Sequence, residues 1–150
     1  MHNIVELLQN QALWCAVAAW FIAQALKIPT YWLVEKKLDL GRFFGSGGMP
    51  SSHTAFVTSL AIMVGATLGF DSACFAIAVI LAAIVMYDAS GVRHETGVQG
   101  QVLNEIVRKV FVDGQPITDV ELKELVGHTK VEVAGGFVVG VLTALAFILL

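Results

Sequence analysis

Four stretches of the chain carry no charged side chain: residues 7–26, 54–70, 72–87 and 133–150. They are built mostly from Ala, Val, Leu, Ile, Phe and Trp. A helix that crosses a membrane needs about 17–25 predominantly apolar residues. Three of the stretches meet that length directly, and the one at 72–87 meets it when Asp71 or Asp88 lies at the interface. The pattern predicts spans at about 8–29, 51–69, 72–89 and 130–150. A loop at about 30–50, a tight turn at 70–71 and a long segment at about 90–129 connect them. The predicted fold is an all-α integral membrane bundle of four transmembrane helices, forming one domain over residues 1–150.

The long segment carries a pattern of its own. Val102, Leu103, Ile106, Val107, Val110 and Phe111 recur at helical spacing, opposite Asn104, Glu105, Arg108 and Lys109. A turn follows at residues 113–116. Thr118 with Glu121 then makes a capping box for a second short helix through Val126, which Gly127 can end. Both short helices are amphipathic and suit either the membrane surface or a cover over a site there. Gly65 with Gly69 and Gly136 with Gly140 are pairs of small residues that would let helices approach closely in lipid.

Composition strengthens the membrane reading. The chain is 57% hydrophobic and 14% charged, against roughly 25% charged in soluble domains. A soluble fold would have too little polar surface to cover four such helices. The stretch before the first span has no Lys or Arg and carries Glu6, so that span is expected to remain in the protein rather than serve as a cleaved signal. Both cysteines, Cys15 and Cys74, lie in apolar stretches without metal-ligand spacing and are expected to be small core residues.

Charge placement sets the orientation. All nine basic residues fall in or at the edges of two segments: Lys27, Lys36, Lys37 and Arg42, then Arg93, Arg108, Lys109, Lys123 and Lys130. With four spans those segments share a side. The positive-inside rule makes that side cytoplasmic and both termini external, as expected in a bacterial plasma membrane.

The polar residues gather where the loops meet the spans. In "GSGGMPSSH", Gly47 and Gly48 permit unusual backbone angles and close approach by a ligand. Ser51 or Ser52 is a good N-cap for the second span, whose free N–H groups and dipole favour a phosphate. His53 would lie within reach of that anion. Asp88, Arg93 and His94 cluster at the end of span three, Lys27 ends span one, and Arg42 precedes the glycines. His128 and Glu132 are four apart, on one helical face at the start of span four, so the carboxylate can orient the imidazole. Two histidines, several cations and a helix N-terminus suit phosphoryl transfer without a metal: one His attacks phosphorus, the other protonates the leaving oxygen, and the cations hold the remaining oxygens. A divalent cation held by His53, His94, His128, Asp88 and Glu132 is the competing reading, though neither HxH nor HExxH spacing is present.

"GGMPSSH", "IVMYDASGVR", the Leu103-Asn104 pair and "ELVGHTKVEV" together resemble the divergent branch of the type 2 phosphatidic acid phosphatase family, described as acid phosphatase/vanadium-dependent haloperoxidase-related. The likeness runs from about Gln24 to the last span. It implies that His53 is the general acid, His128 the nucleophile and Glu132, standing for the family's Asp, its orienting partner. Ser52 stands where the family has Gly. The Arg expected before the last His is absent, since residues 121–123 are Glu-Leu-Lys; Arg93 or Lys123 takes its place in this reading. The first basic block is altered as well: Lys36 and Arg42 are one residue too close and Phe43 stands for Pro, so Lys27 with Arg42 is the preferred pair. Phosphate contacts are thus expected from Lys27, Arg42, Gly48, Ser51, Ser52 and Arg93, with Asp88 and His94 in support. The implied activity is hydrolysis of a lipid phosphate or pyrophosphate through a phosphohistidine at the cytoplasmic face, with no metal or cofactor. The alternative is a membrane protein that binds or transports phospholipid through a retained anion site. The expected partners are the lipid substrate and membrane lipids, not nucleic acid, and a homo-oligomer stays open.

Overall fold

The structure, a computed structural model, describes residues 2–45, 47–91, 97–104 and 127–150. Its helices are α1 (His2–Leu8), α2 (Gln11–Glu35), α3 (Ser52–Leu68), α4 (Ala73–Ser90), α5 (residues 97–104) and α6 (Lys130–Leu149), with a 3₁₀ turn at Leu40–Phe43. There is no strand among the described residues. The expected 70–71 turn joins α3 to α4. Much of the pattern read over 102–126, including the Thr118–Glu121 capping box, lies outside the described residues.

Three helices, α2, α4 and α6, are long and apolar enough to cross a membrane, by length and composition. α3 has 17 residues, about 26 Å at 1.5 Å per residue, a little short of a hydrocarbon core of about 30 Å. It is also the centre of the bundle, packed against α2, α4 and α6, while α4 barely meets α6.

The residues turned inward are small. α2 buries Cys15, Ala16, Ala19 and Ala23, and α4 buries Ala78, Ala82 and Ala89. The large side chains point out: Phe21, Ile77, Ile80, Ile84 and Leu142 are all exposed. Water would penalise that arrangement, whereas lipid provides no drive to hide a large apolar side chain and rewards close backbone contact. α6 reaches α3 through Gly136 and Gly140, so the expected small-residue pair in the last span is a helix contact. The other pair divides. Gly65 sits under the Phe70 and Phe75 rings, whereas Gly69 ends α3 at φ 94° and serves the turn.

Several boundaries differ from the sequence reading. The first apolar stretch is broken at Asn10, whose side chain caps α2 by accepting from the Leu13 amide. α2 then runs through Pro29 to Glu35, beyond the expected end near residue 29, and stops at Lys36 with φ 56°. Proline removes one helical donor. The helix continues nonetheless, and the neighbouring Thr30 hydroxyl lies within hydrogen-bond reach of the Leu26 and Lys27 carbonyls. Cys15 is buried as expected, but Cys74 is exposed on the first turn of α4, which packs on one side only. In α5, Val102 and Leu103 are exposed and Asn104 is buried, the reverse of a polar outer face.

Candidate active site at two helix starts

The site is built where α3 and α6 begin side by side. Gly47 and Gly48, at φ 87° and 82°, bring the loop to Met49 and Pro50 through backbone that a side chain would strain. Ser51 caps α3: its hydroxyl accepts from the Thr54 amide at 3.4 Å and from the Thr54 hydroxyl at 3.1 Å. Its own amide donates to the Glu132 carbonyl at 2.9 Å, which ties the first turns of α3 and α6 together. Ser51 and Ser52 are both buried.

α6 opens with a capping box. Thr129 Oγ1 accepts from the Glu132 amide at 3.3 Å, and Glu132 Oε2 accepts from the Thr129 amide at 3.1 Å. The same Oε2 lies 3.0 Å from His128 Nδ1. A carboxylate only accepts, so Nδ1 carries a proton and Nε2 is the ring nitrogen left facing away from Glu132. His128 is therefore not on a helical face with Glu132, as the spacing suggests. It precedes the N-cap, and the pair meets because Glu132 turns back over the helix start. The His128 amide donates to the Ala89 carbonyl at 2.9 Å, anchoring the histidine to the end of α4 beside Asp88.

The two histidines meet edge to face, with ring centroids 5.9 Å apart. His53 is exposed and His128 is only 4% exposed. One imidazole can exchange protons with solvent, while the other is oriented by Glu132.

The cations occupy a cavity of about 200 Å³ lined by Lys27, Thr30, Tyr31, Glu35, Arg42, Gly47, Gly48, Met49 and Glu132, among others. Lys27 is 3% exposed, and its ammonium donates to the Gly45 carbonyl at 3.1 Å. Arg42 lies over the Tyr31 ring at 4.1 Å, and its Nε is 3.5 Å from the Asp39 carboxylate. The exposed ion pair adds little by itself; together with the ring it fixes where the guanidinium sits. The single Thr30 hydroxyl proton can turn from its own helix to the Met49 carbonyl, which ties α2 to the glycine loop.

Lys27, Arg42 and Gly48 thus share one cavity, while His53, His128, Ser51 and Ser52 gather at the helix starts. Glu132 belongs to both groups. Neither histidine is among the residues lining the cavity. Arg93 and His94, like Lys123, lie outside the described residues. Among the described residues no three His, Cys, Asp or Glu side chains converge as a bound cation would require.

Two participants were not picked out from sequence. Gln24 is buried one turn before Lys27, and its Oε1 has no partner among the described residues; a lone amide in an uncharged span was the available signal. Thr129 was the other, and Thr-x-x-Glu before an apolar run is its signature.

A family model described as "Divergent PAP2 family" matches residues 8–143. The "Uncharacterized membrane protein YuiD" of Bacillus subtilis (strain 168) is 40% identical over 151 residues, covering 94% of this chain and 96% of the relative. No solved structure matches.

Proposed function

The chain belongs to the divergent PAP2 family of membrane proteins, and on that premise we propose that it is an integral membrane phosphatase acting on a lipid phosphate or pyrophosphate. The observation that carries the reading is the His128–Glu132 contact at 3.0 Å with the His53 ring 5.9 Å away.

His128 Nε2 attacks phosphorus and forms a P–N bond. The bond from phosphorus to the leaving oxygen breaks, and His53 delivers a proton to that oxygen. Glu132 balances the positive charge that the attacking ring acquires, the role a carboxylate plays behind a catalytic imidazole. Water then attacks the phosphohistidine, giving a proton to His53 as phosphate leaves and His128 regains its lone pair. Lys27, Arg42 and the amides at Gly48 and Ser52 hold the phosphate oxygens, while Ser51, whose amide is already donated to the Glu132 carbonyl, supports them as the helix cap. The test is phosphate release by purified protein in detergent from a panel of lipid phosphates and pyrophosphates. Release from at least one, lost in Lys27→Met, is the expected result; an inert wild type overturns the enzyme reading.

A second reading is favoured by one specific observation: the cavity that holds Lys27 and Arg42 is not lined by either histidine. On that reading the protein binds or carries an anionic lipid without turning it over. Retained lipid binding with no phosphate release from any member of the panel selects it.

The architecture that serves either reading has α3 as a fourth span, both termini external and the two basic segments cytoplasmic. The division of all nine basic residues between those segments supports it. Single cysteines introduced at Leu150 and Gln115, in a background lacking Cys15 and Cys74, are expected to react with an impermeant reagent from opposite sides. Labelling of both from one side contradicts the four-span order.

A further inference from the structure

Between α3, α4 and α6 lies a second cavity, of about 280 Å³, with a wall that is almost entirely hydrocarbon. Ala61 and Ile62 line it from α3, Val79, Ala82 and Met86 from α4, and Phe137 from α6. Its end nearest the α3–α4 turn is closed by Phe70 and Phe75, stacked edge to face at 5.1 Å. Thr58 and Met86 are the lining residues on the side of the helix ends that carry the histidines. Thr58 lies five residues beyond His53 on α3. Met86 lies on the last turns of α4, just before Ala89, whose carbonyl accepts the His128 amide.

Thr58 is the exception in that wall. Three other hydroxyls in these helices donate back to a carbonyl of the preceding turn: Ser59 to Ala55 at 2.9 Å, Thr67 to Met63 at 2.7 Å and Thr143 to Val139 at 2.8 Å. Thr54 donates to the Ser51 hydroxyl. Thr58 is 4% exposed, lines the cavity, and its Oγ1 has no hydrogen-bond partner among the described residues. A buried hydroxyl without a partner is costly. A ligand that brings one acceptor to an otherwise hydrocarbon site removes that cost.

The geometry points to this cavity as the seat of one ester-linked acyl chain, with the ester carbonyl accepting from Thr58 and the phosphate directed to His53 and His128. This deepens the lipid-phosphate reading and rests on it. A prenyl chain would fill the hydrocarbon part but leave Thr58 unpaired. An acyl ester carries its carbonyl a few bonds from the phosphate and the hydrocarbon beyond it, in the order the cavity requires.

The experiment uses the full chain in detergent with two probes: a single-chain acyl glycerol phosphate bearing a diazirine midway along the chain, and its alkyl ether counterpart. The wild type is expected to bind the ester about three- to tenfold more tightly, the range one net hydrogen bond supplies, and to be labelled on the peptides carrying Ile62 and Met86. Thr58→Val should bind both probes equally, and Thr58→Ser should keep the preference. Equal binding by the wild type, or labelling confined to the outer face of α4 at Ile77, Ile80 and Ile84, overturns the assignment. If Thr58→Val does not fold, the wild type and Thr58→Ser decide the matter. Phosphate release is followed on the same preparations. Cavity labelling without release keeps the chain site and removes the phosphatase reading; release with labelling elsewhere does the opposite.

Discussion

A His128→Ala variant is expected to release no phosphate and to form no phosphohistidine, because it removes the attacking Nε2 together with the ring that Glu132 orients through Nδ1. His53→Ala has a different signature. A general acid typically contributes about 10²–10⁴-fold, and that contribution matters most when the leaving group is a poor one. The loss should therefore approach this range for an alkyl phosphate and be much smaller for a nitrophenyl phosphate, whose oxygen departs without help. Glu132→Gln should keep the helix start, since Gln also completes a capping box, yet slow turnover because the charge behind the imidazole is gone. Equal harm to both leaving groups by His53→Ala, with phosphohistidine still formed in His128→Ala, would reverse the two roles.

The second large effect concerns the seam between α3 and α6. A Cβ added at Gly136 would lie 2.2 Å from the Ser51 carbonyl oxygen and 2.9 Å from Thr54 Cβ. The obstruction is the first turn of another helix and cannot rotate aside. α6 would have to move outward, carrying the Glu132 carbonyl off the Ser51 amide. Overpacking typically costs about 1–3 kcal/mol, out of a stability of about 5–15 kcal/mol for most proteins. Gly136→Val should lower the melting temperature in detergent and also remove anion binding, since both helix starts shift. Gly135→Ala is the control. Its Cβ would meet the tip of the flexible Met49 side chain at 3.2 Å, and its melting should stay near that of the wild type. Equal melting of the Gly136 variant and the wild type would show that the seam is not tight.

Much of this arrangement was legible in the residues. Uncharged runs locate the long helices because apolar length has few other uses in a chain so poor in charge. Ser51 ahead of an apolar run was readable as a cap, since an N-cap is a local hydrogen-bond requirement. The failures share a cause, which is that a one-dimensional pattern assigns a residue to a face before the neighbours are known. The four-residue spacing of His128 and Glu132 gave the right pair for the wrong reason, since the carboxylate reaches back across a helix start. The expected end of span one near residue 29 follows the apolar run, whereas α2 continues through Pro29 to Glu35. Asn104 was assigned outward by period alone, and the bundle turns it in. The Lys27–Arg42 cavity depends on a loop fold that no spacing rule encodes.

The placement of α3 has a consequence for how the protein is made. This helix is the shortest of the four in the bundle and the one that buries Ser52, Thr54, Thr58 and Ser59. A segment leaving the ribosome with that composition gains less from bilayer contact than α4, which buries only three alanines. Thr54 and Thr58 are packed against Gly136 and Gly140 of α6, a helix synthesised well after α3. The central helix therefore depends for its settled position on a partner made two helices later or more. Truncated translation products ending before residue 130 would hold α3 against α2 and α4 alone, with Ser51 lacking its Glu132 partner. Such intermediates are natural clients for membrane quality control, and the apposed histidines come together only once the start of α6 has been made.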